Sequence, residues 1–241
     1  HLSVLCNQMV NFLGIMQNEW AGAQAFSSFD TYLAPFVKVD NLSYEEVKKC
    51  IESFIYGVNT PSRWGTQSPF SNITLDWTVP NDLAELPAIV GGKEMDFKYK
   101  DCKKEMDMVN KAFIETMIEG DANGRGFQYP IPTYSITSDF DWSDTENNRL
   151  LFEMTSKYGT PYFSNYINSD MEPSDVRSMC CRLRLDLREL RKKSGGFFGS
   201  GESTGSVGVV TINLPRIAYR SKNEKEFYHR LDHMMDISAR S

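Results

Sequence analysis

Two adjacent cysteines, in Met179-Cys180-Cys181-Arg182, follow a loop marked by Asp170-Met-Glu-Pro173 and precede the alternating run Arg182-Leu-Arg-Leu-Asp-Leu187. A thiol held on a loop between buried strands is placed for chemistry in a cavity that keeps water out. Neighbours in an extended chain point to opposite sides, so at most one of the pair faces a given cavity. Free cysteines are also commonly small buried hydrophobes, and the residue types alone leave both readings open. Downstream, six glycines between Gly195 and Gly208 permit positive φ and a close approach of backbone amides to an anion. This loop has neither the GK[ST] ending of a phosphate loop nor a GxGxxG opening a helix, so a plain connection between strands is the alternative.

Other polar stretches carry less chemistry. Asn59-Thr-Pro-Ser-Arg63-Trp-Gly-Thr-Gln-Ser-Pro-Phe70 runs straight into an apolar segment. Loops at strand ends hold ligands in α/β folds, though Asn, Thr and Ser also stabilise ordinary turns. Gln17 to Asp30 mixes small and polar residues, which suits close packing or contact with a nucleotide or a second subunit. His229 and His233 have a metal-compatible spacing. Arg230 and Asp232 between them mark a solvated face, no Glu follows His229, and no metal site is expected there. No Ser/His/Asp arrangement with a nucleophile elbow is present.

The elements that must position these residues alternate. Capping boxes predict helix starts at Ser43 with Glu46, Ser143 with Glu146 and Ser221 with Glu224. The helices they open run through Tyr56, through Lys157 and to the chain end. Apolar residues at i, i+3, i+4 spacing predict further helices over about 2–19 and 100–119, the latter stopped by Gly120-Asp-Ala-Asn-Gly-Arg-Gly126. Aromatic and β-branched runs predict strands at 71–78, 127–136, 162–167 and 207–214. Helix alternating with strand gives an α/β protein whose strands are covered on both sides, an open sheet or a closed barrel. No internal repeat or linker divides it.

With 241 residues and 41% hydrophobic content, the chain can bury a sizeable core. Its formal charge of -6 lacks the basic excess that binds nucleic acid, while leaving room for a small anionic ligand on local donors. No run approaches the roughly 20 apolar residues of a membrane span, and the first residues lack a signal-peptide pattern. A soluble, cytoplasmic chain is expected. Cys6, Cys50, Cys102, Cys180 and Cys181 are odd in number and without CxxC spacing, which argues for free thiols rather than a disulfide framework or structural zinc. His1 is not an initiator Met and the pattern from Phe227 is still amphipathic at Ser241, so both ends are expected to be cut.

The stretches NEWAGAQAFSSFDTYLAPF, NTPSRWGTQSPFSNITLDW, GRGFQYPIPTYSIT, YGTPYFSNYIN, MCCRLRLDLREL, SGGFFGSGESTGS and VGVVTINLPR, in this order, resemble the anaerobic (class III) ribonucleoside-triphosphate reductases. The resemblance covers essentially the whole chain. It implies that residues 1–241 are one segment of a single catalytic domain, a ten-stranded α/β barrel of the glycyl radical enzyme type with a central finger loop. It implies that Cys181 is the radical-bearing thiol, that Met179 lines the same pocket, and that Cys180 stands where relatives have glycine. The thiyl radical would take the ribose 3′ hydrogen so that the 2′ hydroxyl leaves as water.

The same resemblance implies partners: a ribonucleoside triphosphate, ATP and dNTP effectors, a second copy of the chain, and an iron-sulfur S-adenosylmethionine activase. The ATP cone, an upstream cysteine, the zinc-binding cysteines and the glycyl radical loop of the family are absent from these residues, so the segment alone is expected to be inactive. Formate-using members have Asn where Ser206 stands, which casts doubt on formate and leaves a thioredoxin-like reductant open. Thr66, Gln67 and Ser68 are expected to share the substrate cavity with Gly199, Ser200, Gly201, Glu202 and Ser203. Other readings are a glycyl radical enzyme acting on a carboxylic acid or diol, and a nucleotide-binding module that has lost the chemistry.

Overall fold

The computed structural model describes residues 1–19, 24–60, 67–167, 169, 176–178, 184–186 and 211–240. They fall into two compact units, residues 1–201 and 202–241. In chain order the first unit runs α1 (Leu2–Glu19), β1 (Gln24–Phe26), α2 (Phe29–Val39), α3 (Tyr44–Asn59), β2 (Ser71–Leu75), α4 (Asn81–Ala84), β3 (Pro87–Val90) and β4 (Lys93–Lys98). A 3-10 turn (Tyr99–Cys102) then leads into α5 (Lys103–Glu119), β5 (Ile131–Ile136), α6 (Glu146–Tyr158), β6 (Tyr162–Asn165), β7 (Val176–Ser178) and β8 (Arg184–Asp186). The second unit holds α7 (Leu214–Arg220) and α8 (Glu224–Arg240).

The centre of the first unit is a four-stranded sheet in the order β1-β2-β5-β6, parallel throughout. Strand residues alternate sides, and here the two sides differ in chemistry. Ile73 and Leu75 of β2 and Tyr134 and Ile136 of β5 belong to the main core, with Val47, Ile51, Phe54 and Ile55 of α3 and Val109 and Phe113 of α5. The register sets Thr74 beside Thr133 and Ser135 beside Ser164. The opposite side therefore carries Asn72, Thr74, Thr133, Ser135 and Ser164, with Ile131 and Tyr162 only at strand starts. Parallel strands ordinarily read as apolar on both faces; one polar face on buried strands means that something other than a helix's apolar stripe belongs against it.

Helix ends show where local chemistry was legible. Ser43 caps α3 with the expected box: the Glu46 N–H donates to Ser43 Oγ at 3.4 Å, and the Ser43 N–H donates to Glu46 at 2.9 Å. The other two boxes are displaced by two residues. Thr145, not Ser143, caps α6 by accepting from Asn148 N–H, and the Ser143 N–H donates instead to Asp141. At α8 the Glu226 N–H donates to Asn223, while the Glu226 carboxylate accepts from Lys222 N–H. Asn and Thr cap as readily as Ser, so the residue nearest the first turn captured the role.

Helix α2, the β3–β4 hairpin and α7 were not expected. Pro35 lies inside α2, and proline lacks the N–H of a helix interior, which hid the element. The hairpin turns on Gly91 and Gly92, both with positive φ (59° and 78°), as its tight turn requires. Of the strand expected at 207–214, residues 207–210 lie outside the described set, 211–213 are irregular, and Leu214 opens α7 with Asn213 as its cap. Gly120 ends α5 as expected: its φ is 75°, and a Cβ there would stand 2.5 Å from the Arg125 carbonyl oxygen. Among the described residues no helix is long and apolar enough to cross a membrane.

Candidate active site

All four strands run the same way, so their C-terminal ends share one edge, the edge where α/β sheets hold ligands. A cleft of about 560 Å³ lies there. Asp76, Thr78, Asn81 and Asp82 reach it after β2, Ser135, Thr137 and Asp139 from β5 and the turn after it, and Tyr166 after β6. Its floor is backbone-strained. The Thr78 N–H bonds the Asp76 carbonyl at 2.7 Å, closing a three-residue turn about Trp77, whose φ is 64°. A bulky residue with positive φ persists only where its surroundings hold it. Trp77 is held by stacking on Phe140, by an edge contact with Tyr134, and by its own N–H, which donates to Asp30 at 2.9 Å.

Asp30, fully buried on α2, organises this edge. One carboxylate oxygen accepts from the N–H groups of Asp76 and Thr31, and the other accepts from the Trp77 N–H and from Asn110 Nδ2. Asn110 in turn accepts from the Tyr134 hydroxyl at 3.0 Å. Only an ionised carboxylate can accept four such donors. Burial pushes the Asp30 carboxyl up from the ordinary range, and its four N–H partners oppose that.

Asp76, beside it, is the group that takes the proton. Burial first and the charge on Asp30 second push its carboxyl up to about 8, against the hydroxyls of Thr31 and Ser28. Thr31 Oγ1 donates to Asp76 Oδ2 at 2.6 Å. Two close carboxyls cannot both ionise cheaply in a dry site. The pair thus presents the cleft with a carboxyl that keeps its proton well above the ordinary carboxylate range. Asp76 was not expected as a site residue, and Asp30 entered only as the end of the polar stretch from Gln17. The available clue was an Asp directly after an apolar strand, in Ile73-Thr-Leu-Asp-Trp77, where the C-terminal end of a strand faces ligand.

The opposite edge holds a neutral counterpart. Asn59, the last residue of α3, accepts from the Gln128 and Tyr129 N–H groups and donates through Nδ2 to the Ile55 and Tyr129 carbonyls. Ser68 Oγ donates to the Asn59 carbonyl at 3.1 Å, and Gln67 beside it is exposed. These two expected site residues therefore lie where β2 begins, roughly 17 Å along the strand from the cleft edge. Thr66, Met179, Cys180, Cys181, Gly199, Ser200, Gly201, Glu202, Ser203 and Ser206 lie outside the described residues. Cys6, Cys50 and Cys102 are free thiols as expected. Burial pushes the Cys6 thiol up to about 12 and the Cys102 thiol up to about 11, which makes them inert. No cluster of three or more His, Cys, Asp or Glu able to hold a metal occurs among the described residues.

The family model of the anaerobic ribonucleoside-triphosphate reductases matches residues 1–241. The chain belongs to that family. A curated relative, the anaerobic ribonucleoside-triphosphate reductase of Haemophilus influenzae, is 28% identical over 140 residues, which are 56% of this chain and 19% of the relative. Two crystal structures of the Thermotoga maritima anaerobic ribonucleotide reductase match with a TM-score of 0.53 at 20% identity. The one with citrate in its active site is matched over 70% of this chain and 31% of that one. The one with dATP bound in its specificity site is matched over 97% of this chain and 38% of that one. The chain thus spans about a fifth of the curated relative's length and under two fifths of the solved ones. At this identity the structural likeness establishes the fold, a mixed α/β arrangement on a parallel sheet.

Proposed function

We propose that the chain is a segment of the catalytic subunit of an anaerobic ribonucleotide reductase, its parallel strands forming part of one ten-stranded barrel domain around a finger loop that carries Cys181. The family match over the whole chain carries this reading. The one-sided sheet supports it: helices cover the apolar face, and a barrel strand's other face lines the interior. The glycyl radical, installed by an iron-sulfur S-adenosylmethionine activase, supplies an unpaired electron from outside these residues. The zinc of the family would also be held outside these residues, by the cysteines the resemblance places elsewhere in the family.

This chain's residues would position and protect. Cys181, as a thiyl, forms an S–H bond while the ribose C3′–H bond breaks; the 2′ C–O bond then breaks, and water leaves with an added proton. A thioredoxin-like dithiol, oxidised to a disulfide, supplies the two electrons and two protons that place hydrogen on C2′ and form the water, or formate, oxidised to CO2, supplies the electrons. The hydrogen on Cys181 then returns to C3′ and restores the thiyl, and Ser206 in place of Asn favours the dithiol. Met179 would line the sugar pocket. Asp82 and Asp139 repel phosphate at the cleft, so the triphosphate belongs on other donors, for which Thr66, Gln67, Ser68 and the amides of Gly199 to Ser203 are the candidates. ATP and dNTP effectors and a second copy of the chain would be its further partners, as in the family.

The test uses the full-length, activated enzyme. Cys181→Ser should abolish reduction while the glycyl radical signal in EPR persists, and Cys180→Ser should stay active. The reverse pattern would move the radical site by one residue. Turnover with formate and none with a reducing redoxin would overturn the reductant assignment alone.

A further inference from the structure

The polar face of the sheet contains one group whose chemistry is incomplete. Asn72, on β2, is 1% exposed. Its Nδ2 donates to Thr133 Oγ1 at 3.4 Å, across the β2–β5 pair. Its Oδ1 is buried and has no hydrogen-bond partner among the described residues. Leaving a buried amide oxygen unpaired costs more than a typical hydrogen bond contributes, and an aliphatic side chain of similar size would avoid that cost. The fully paired carboxamide of Asn59 shows that the same residue type can be satisfied elsewhere in this fold. Asn148 Oδ1 and Ser71 Oγ are likewise buried and unpaired among the described residues, but of these three Asn72 alone stands on the polar face of the sheet, where a ligand can supply the donor.

The surroundings define that donor. Thr74, Thr133 and Ser135 share the face and carry no charge, so it does not select phosphate. Every partner it offers is a neutral hydroxyl or amide. An acceptor oxygen on Asn72 with the Thr133 hydroxyl adjoining it is a donor-acceptor pair matched to a vicinal diol, in which one hydroxyl donates and its neighbour accepts. Of the parts of a ribonucleoside triphosphate, the phosphates are excluded. The ribose presents the pattern with two hydroxyls and a base edge presents it with an N–H and a ring acceptor, so removing single ribose hydroxyls separates the two. Resting on the reductase reading above, we infer that Asn72 is a substrate-binding residue whose side-chain oxygen accepts from a ribose hydroxyl, with Thr133 as its partner on the same sugar. Asn72 lies four residues, roughly 13 Å, along β2 from Asp76, which places the sugar in the depth of the sheet and leaves the acidic cleft at its mouth.

The inference predicts opposite effects on stability and binding. In the full-length enzyme, without activation, Asn72→Leu should leave the unfolding midpoint unchanged or higher, because it removes an unpaired buried oxygen. The same variant should bind CTP about 5- to 10-fold more weakly, the loss of one hydrogen bond to substrate. Wild type should also distinguish CTP from its 2′-deoxy or 3′-deoxy analogue, and Asn72→Leu should erase that difference, as a site built to bond a hydroxyl does when the bonding group is removed. If wild type binds no ribonucleotide, the reductase reading itself fails. If wild type binds CTP but ignores both hydroxyls, or if the variant keeps the discrimination, Asn72 does not hold the ribose. A lowered unfolding midpoint in Asn72→Leu would make it a structural strut and overturn the inference equally.

Discussion

The two edges of the sheet solve one problem with different chemistry. Where the strands begin, Asn59 ties the end of α3 to the chain entering β5 with a neutral amide, both of whose ends are paired. Where they end, Asp30 ties α2 to the turn after β2 with a charge, and that charge disturbs the carboxyl of Asp76 beside it. A structural knot needs no charge, as Asn59 demonstrates. Placing one at the cleft edge, at the cost of burying two carboxyls, ties the ionisation of a cleft-facing group to the fold. Strain at Trp77 and the perturbed Asp76 coincide at this edge, the pattern expected of a functional site.

The comparison can be broken by removing each knot. Asp30→Ala strands four N–H donors in a dry site and should destabilise the chain by about 3–5 kcal/mol, measured by chemical denaturation; a loss below about 1 kcal/mol would mean that the knot does not hold the cleft. Asn59→Ala leaves two N–H donors unpaired at a wetter position and should cost about 2 kcal/mol. Equal losses at the two edges would remove the distinction between the charged and neutral ties.

Asp76→Asn sharpens it most finely, and with the opposite sign. The folded chain holds a proton on Asp76 up to about pH 8, whereas an ordinary Asp releases it near 3.8. Its contribution to stability is therefore fully present below about pH 4 and is lost as pH rises toward 8. Asn carries no such proton, so the variant should match wild type in acid and become progressively more stable than it as pH rises toward 8. Unfolding midpoints of both proteins from pH 4 to 8 check this; parallel curves would place the titrating carboxyl elsewhere.

Much of the frame was legible in residue order. The helix α1, the box at Ser43, the periodicity of α5 with its stop at Gly120, and the cores of β2, β5 and β6 follow from local rules, because each is decided within a few residues. The displaced caps at Thr145 and Asn223 mark the limit of such rules: adjacent polar side chains compete, and the winner depends on where the first turn forms. Helix α2 was hidden by Pro35, whose penalty is outweighed by burying Phe29, Leu33 and Val37 in the core. The Asp30 site was illegible because its partners come from residues 76, 77 and 110. No spacing rule spans such separations.

By itself the sequence determined α1, α3 and α5, the cores of β2, β5 and β6, and the motif order that marks the family. All of these are properties of near neighbours or of residues in order. Only the tertiary structure decided that one sheet face is polar, that Asn72 carries an oxygen unpaired among the described residues, and that Asp30 sits close enough to Asp76 to move its proton. Burial and register depend on which distant segments meet, and it is burial that turns an ordinary amide or carboxyl into a group with unsatisfied chemistry.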